Sequence, residues 1–119
     1  MNAYERLLKY VVIRTPSNEE SKTTPSSQCQ FDLANVLKKE MEELGICDVT
    51  LTDTCFLYGK IPATPGCENA PAIGFIAHMD TVSDYCDHDI KPVITRNYDG
   101  EALALGESGL VLSPEMFPH

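Results

Sequence analysis

The sequence predicts an α/β fold, with helices packed on a mixed β-sheet. Three observations carry that prediction. Two stretches, Tyr4 to Ile13 and Ser26 to Leu44, repeat apolar residues at three- and four-residue steps. Asp48-Val-Thr-Leu-Thr52 and Phe56-Leu-Tyr-Gly-Lys-Ile61 read as antiparallel partners around the Asp53-Thr-Cys turn. Ala72-Ile-Gly-Phe-Ile-Ala77, behind Pro71, is a short apolar run rich in β-branched and aromatic residues, as in a buried strand. A chain of 119 residues holds about one domain with a single core.

In the first helix Tyr4, Leu7, Leu8 and Val11 share a face. Asn2 suits the N-cap and Glu5 the first turn, as in a capping box, while Pro16 forbids continuation. Thr15 to Ser27 is rich in Ser, Thr and Pro, which predicts a mobile connector, with passage over a site as the alternative. The second helix gathers Phe31, Ala34, Leu37, Met41 and Leu44 into a stripe widened by Leu33 and Val36. Lys38, Lys39, Glu42 and Glu43 fill the opposite face as four-residue pairs of opposite charge. Gly45 supplies the left-handed position that closes a helix. After the hairpin, Pro62, Pro65 and Gly66 open a loop to Pro71. Beyond Thr81 the chain turns acidic and aperiodic, and two short strands are predicted at Pro92–Thr95 and Ala102–Leu105, separated by an Asp99-Gly100 turn. The stretch Leu112 to His119 has no cap and no polar tail, and reads as an interruption rather than an end.

Composition narrows the function classes. Lys plus Arg is 9 against 18 for Asp plus Glu, a net charge of −9 with no basic stripe. Such a chain repels phosphate backbones and anionic bilayers, which argues against a nucleic-acid or membrane-surface partner. No apolar run approaches the ~18 residues of a membrane span, and the N-terminus lacks a secretory pattern. The five cysteines are odd in number and have no Cys-x-x-Cys spacing, as expected of reduced thiols in a cytoplasmic protein.

The chemistry gathers at the end of the 72–77 run. Ligands in α/β sheets collect past the carboxyl ends of strands, where His78 and Asp80 fall. An imidazole there can ligate Zn²⁺ through one nitrogen while a second group orients the other. Residues two apart in extended chain project to the same side, so Asp80 can reach the His78 ring. His-x-Asp alone is a weak signal, and a partly buried histidine hydrogen-bonded to a nearby aspartate accounts for it better than a metal site does.

The context adds to that. Ala72-Ile-Gly-Phe-Ile-Ala-His78-Met-Asp80-Thr81 resembles the first metal-site motif of the peptidase T family, cytoplasmic tripeptide aminopeptidases within the larger group of two-zinc exopeptidases. The N-terminal Tyr4-Glu-Arg-Leu-Leu-Lys-Tyr-Val, the helix end Leu37-Lys-Lys-Glu-Met-Glu-Glu-Leu-Gly45, Val49-Thr-Leu, Ile61-Pro-Ala, Ala104-Leu-Gly106 and Leu112-Ser-Pro-Glu-Met-Phe-Pro118 resemble the family in order. The resemblance implies that residues 1–119 are the N-terminal part of a zinc-exopeptidase catalytic domain. It implies His78 as a zinc ligand and Asp80 as the catalytic carboxylate behind it. The bridging aspartate, Glu-Glu pair, further carboxylate and distant histidine expected of the family have no counterpart here. A two-metal site needs a bridge holding its ions ~3.5–4 Å apart, so this polypeptide alone is expected to have no peptidase activity. In the complete enzyme two zincs would remove the N-terminal residue of tripeptides. The rival readings are a non-catalytic metal-binding or protein-interaction module and a purely structural α/β domain with no site. Sheet edges left open would invite pairing between copies.

Other candidates carry less. Asp84, Cys86, Asp87, His88 and Asp89 read as a solvated acidic turn, with an adventitious metal site as the alternative. Glu107 and Glu115 are isolated carboxylates, and His119 is terminal. Ser108 and Ser113 lack a nucleophile-elbow pattern, and Gly106 and Gly109 make no phosphate loop.

Overall fold

Asn2 opens the chain's first helix as its capping residues require: its backbone N–H donates to the Glu5 carboxylate at 2.6 Å. The computed structural model describes residues 1–86 and 88–118. Helix α1 spans Ala3–Tyr10 and buries none of its side chains fully. Tyr4 and Leu7, on the predicted apolar face, are largely exposed. The turn of the helix that carries Arg6, Lys9 and Tyr10 makes the attachment instead, because all three reach Glu40 of the next helix.

Helix α2 spans Gln30–Glu43 and carries the core, with Leu33 and Ala34 buried. Its C-terminus closes as Gly45 predicts. With Gly45 at φ +76°, its N–H donates to the Glu42 carbonyl at 3.0 Å and the Ile46 N–H to the Met41 carbonyl at 3.0 Å. Those bonds satisfy carbonyls the helix itself leaves open. Lys38–Glu42 and Lys39–Glu43 pair along the outer face as their spacing predicts. Leu44, placed in the predicted stripe, is exposed.

Strands β1 (Cys47–Leu51) and β2 (Leu57–Lys60) pair antiparallel, with Thr50 opposite Tyr58 and Leu51 opposite Leu57. An irregularity between Cys47 and Thr50 coincides with Asp48 at φ 53°. The Thr52 hydroxyl accepts the Phe56 N–H at 2.9 Å and locks the turn, beside the buried Cys55. Helix α2 packs on this hairpin through Gly59, where an added Cβ would collide with the Met41 and Ile46 side chains. Residues 30–60 are thus the packed part of the chain.

Downstream the architecture departs from expectation. The α/β mixture holds, but the described strands form two separate two-stranded antiparallel sheets rather than one mixed sheet. The 72–77 run joins no ladder and is not buried: Phe75 is 93% exposed and Ile76 101%. A strand pattern that is apolar on both faces needs neighbours on both sides, and among the described residues nothing lies along it. Pro92–Thr95 forms no strand. Leu103–Ala104 (β3) does, pairing with Val111–Leu112 (β4), a partner the sequence did not reveal. Ser83–Cys86 makes one turn of helix, α3. The Cα radius of gyration is 18.2 Å, against about 13–14 Å for a compact chain of this length, because this second half packs on little.

Candidate functional site

The predicted connector between α1 and α2 proves to be an anchor. Thr81 donates its N–H to the Thr15 carbonyl at 2.9 Å, and the Ser17 N–H donates to the Thr81 carbonyl at 2.8 Å. These bonds make a parallel bridge between Pro16 and Thr81. The Ser17 hydroxyl adds a second donor to the Thr81 carbonyl at 3.1 Å, and the Thr15 and Thr81 hydroxyls lie 3.4 Å apart. Thr15 is buried, and the Gln30 amide reaches the Pro16 carbonyl at 3.4 Å, which ties the segment to α2. Hydroxyls two apart around a proline were the available signal, but nothing local in them points to residue 81.

Just before that anchor stand the two sequence-predicted residues. His78 Nδ1 lies 2.9 Å from the Asp80 carbonyl oxygen and 3.2 Å from its carboxylate Oδ1. A carbonyl oxygen can only accept, so Nδ1 is the nitrogen that carries the proton. In the neutral ring this leaves Nε2 with its lone pair, on the far side of the imidazole. The His78 side chain is 85% exposed, and Asp80 is about half so.

Two clefts meet at this corner. The larger, about 820 Å³, lies between the Thr23–Ser26 segment, the hairpin around Thr54–Tyr58 and the Phe75–Asp80 stretch. The smaller, about 320 Å³, lies between the end of α1, Leu33, Leu37 and residues 78–81. His78, Met79 and Asp80 line both, and His88 lines the smaller. Both volumes fall around the range of small-molecule sites. Burial pushes the Cys55 thiol up, so this thiol on the larger cleft is held in its neutral form.

The remaining candidates do not converge. Among the described residues, no three His, Cys, Asp or Glu side chains come together as a metal cage. That includes Asp84, Cys86, His88 and Asp89; Asp87 and His119 lie outside the described residues. A catalytic zinc takes about three protein ligands and a water. His78, with Asp80 behind it, therefore fits one ligand of such a site, and the described residues do not complete it. Gly106 and Gly109 adopt positive φ within the β3–β4 turn, where the Ser108 hydroxyl donates to the Leu105 carbonyl. Ser113 likewise accepts the Glu115 N–H in a turn. Their roles there are conformational.

The relatives of this chain are peptidases. In particular the chain is related to peptidase T across nearly all of its length. It is 48% identical over 116 residues to Peptidase T of Desulfitobacterium hafniense (strain DSM 10664 / DCB-2). Identity is 44% over 115 residues to Peptidase T of Shewanella sediminis (strain HAW-EB3) and 41% over 116 residues to that of Bacillus cereus (strain B4264). Each alignment covers 97% of this chain. The chain spans only 28%, 27% and 28% of the length of these relatives, respectively. No family model matches it. No helix among the described residues is long and apolar enough to cross a membrane.

Proposed function

We propose that residues 1–119 are the N-terminal part of the catalytic domain of a peptidase T-like aminopeptidase, which removes the N-terminal residue from tripeptides. His78 is the contribution of this segment to the metal site, offering Nε2 to a zinc ion, and Asp80 is the group that holds the ring. One observation carries this reading: His78 Nδ1 is engaged by Asp80 at 2.9 and 3.2 Å, which frees the opposite nitrogen beside a cleft of about 820 Å³. An orienting partner of this kind fixes the tautomer and strengthens the imidazole as a ligand. Zinc, when bound, would lower the pKa of its water and polarise the peptide carbonyl.

The chain's own residues do three things in this scheme. Asp80 fixes the proton on Nδ1. The anchor at Thr81 holds Asp80 in place. The larger cleft, apolar at Leu37, Leu57 and Phe75, receives the peptide. His78 supplies one ligand and Asp80 its orienting group, and the described residues do not complete the site. Five free cysteines fit a reducing, cytoplasmic setting.

A chimera tests the reading. Residues 1–119 replace the matching 116 residues of the D. hafniense peptidase T. Tripeptide hydrolysis by the chimera, lost in His78→Ala, supports the assignment. A folded chimera that is inert, or one indifferent to His78→Ala, contradicts it.

A further inference from the structure

We propose that Thr15 and Ser17 are positioning residues for His78, acting through the two peptide planes that flank Thr81. The C=O of Asp80 and the N–H of Thr81 belong to the same trans peptide group, so they point in opposite directions and turn together. The N–H side is bound to the Thr15 carbonyl at 2.9 Å. The C=O side therefore faces away from Thr15, and there it meets His78 Nδ1, also at 2.9 Å. The next carbonyl, that of Thr81, is held from two donors of Ser17, its N–H at 2.8 Å and its hydroxyl at 3.1 Å. Rotation of the Asp80–Thr81 plane requires the Thr15 bond to break, while the two Ser17 bonds fix the following Thr81–Val82 plane and so keep the Thr81 N–H in register with Thr15.

The strap is itself fixed. Thr15 is buried, and Gln30 of α2 reaches the Pro16 carbonyl. The fold contributes to the site through this route: α2 holds the strap, the strap holds the plane, and the plane chooses which imidazole nitrogen carries the proton. A histidine as exposed as His78, at 85%, has no packing to fix its tautomer. Without the strap the Asp80 carbonyl is free to turn away and only the Asp80 carboxylate, 3.2 Å from Nδ1, still biases the ring, so the Nε2-protonated form gains population. The proposal rests on the assignment of His78 as a ligand only for its consequence, since the tautomer is measurable without metal.

The test is long-range ¹H–¹⁵N correlation of the imidazoles of the 119-residue chain at about pH 8, above the ordinary histidine range. His78 is assigned from its absence in His78→Asn. The wild-type ring is expected as the Nδ1–H tautomer. Ser17→Pro deletes both donors to Thr81 and is expected to lose that signature. Ser17→Ala, which keeps the N–H, is expected to lose part of it, and Ser17→Thr to restore it. Should Ser17→Pro not fold, Ser17→Ala and Gln30→Leu decide, each with partial loss expected. A merely structural strap would lower the melting temperature while His78 stayed Nδ1–H. That result, or a wild-type ring not in the Nδ1–H form, overturns the proposal. The D. hafniense chimera separates the two claims. Zinc content of the chimera unchanged by His78→Ala, with the tautomer series of the 119-residue chain intact, removes the ligand assignment and leaves the positioning role standing.

Discussion

Arg6 and Glu40, 34 residues apart in sequence, form an ion pair at 2.7 Å on the inner side of α2. Lys9 joins it at 2.5 Å, and the Tyr10 hydroxyl donates to the same carboxylate. Glu40 is only 7% exposed, yet it is the main attachment of α1, whose apolar face is left largely in solvent. Lys9, then Tyr10 and Arg6, hold the Glu40 carboxyl down from its ordinary 4.5 to about 2. A depressed carboxylate stabilises the fold above its unfolded value and loses that contribution as pH falls through the folded value. The window is therefore pH 4.5 down to about 2. Helix content is expected to drop across it in the wild type and to change less in Glu40→Gln. The variant is also expected to be less stable at neutral pH, because three donors lose their charged acceptor. Acid titration by circular dichroism compares the two.

Gly59 is where α2 meets the hairpin, with Met41 and Ile46 occupying the space a side chain would need. Met41 is flexible and can yield, but the branched Ile46 yields less. Gly59→Val is expected to cost about 1–3 kcal/mol, the usual range for overpacking. Thermal melting should show a fall of several degrees. An unchanged midpoint would mean that the helix does not seat on β2 as described.

Phe75 and Ile76 stand in water on a segment whose backbone joins no ladder. Exposed apolar edges of this kind associate. The chain is expected to sediment as dimers or larger species at high concentration. Phe75→Glu with Ile76→Lys should shift it toward monomer. Wild-type protein that stays monomeric across the concentration series would speak against open-edge pairing.

The legible parts of the fold are those set by neighbours in sequence. The Asn2–Glu5 cap, the stop at Gly45, the i,i+4 pairs of α2 and the 48–61 hairpin all follow from residues within a few positions of each other. The parts that were not legible depend on distant chain. The 72–77 run has a buried strand's composition, but burial is a property of what covers it, and nothing among the described residues does. Glu40 looks like an intruder in an apolar stripe until Arg6, Lys9 and Tyr10 arrive from another helix. At the candidate site, His78 and Asp80 could be named because the stretch around them resembles a known motif and their contact spans only two residues. Thr15 and Ser17 could not, because their contact with Thr81 spans more than sixty.

Asp80 is expected to matter more for metal affinity than for stability. Asp80→Asn, made in the D. hafniense chimera, keeps a carbonyl acceptor but removes the charge beside His78. Loss of such an orienting carboxylate typically weakens a metal site by about 10–100-fold. Competition against a chelator of known affinity measures it. Equal zinc affinity in the two proteins would confine Asp80 to a conformational role.

The most direct measurement for the account as a whole is the metal content of that same chimera, determined by mass spectrometry of the purified, folded protein with and without His78→Ala. The account predicts about two zinc ions per chain in the parent, as in two-metal hydrolase sites, and one fewer when His78 is replaced. Equal metal content in the two proteins would contradict it.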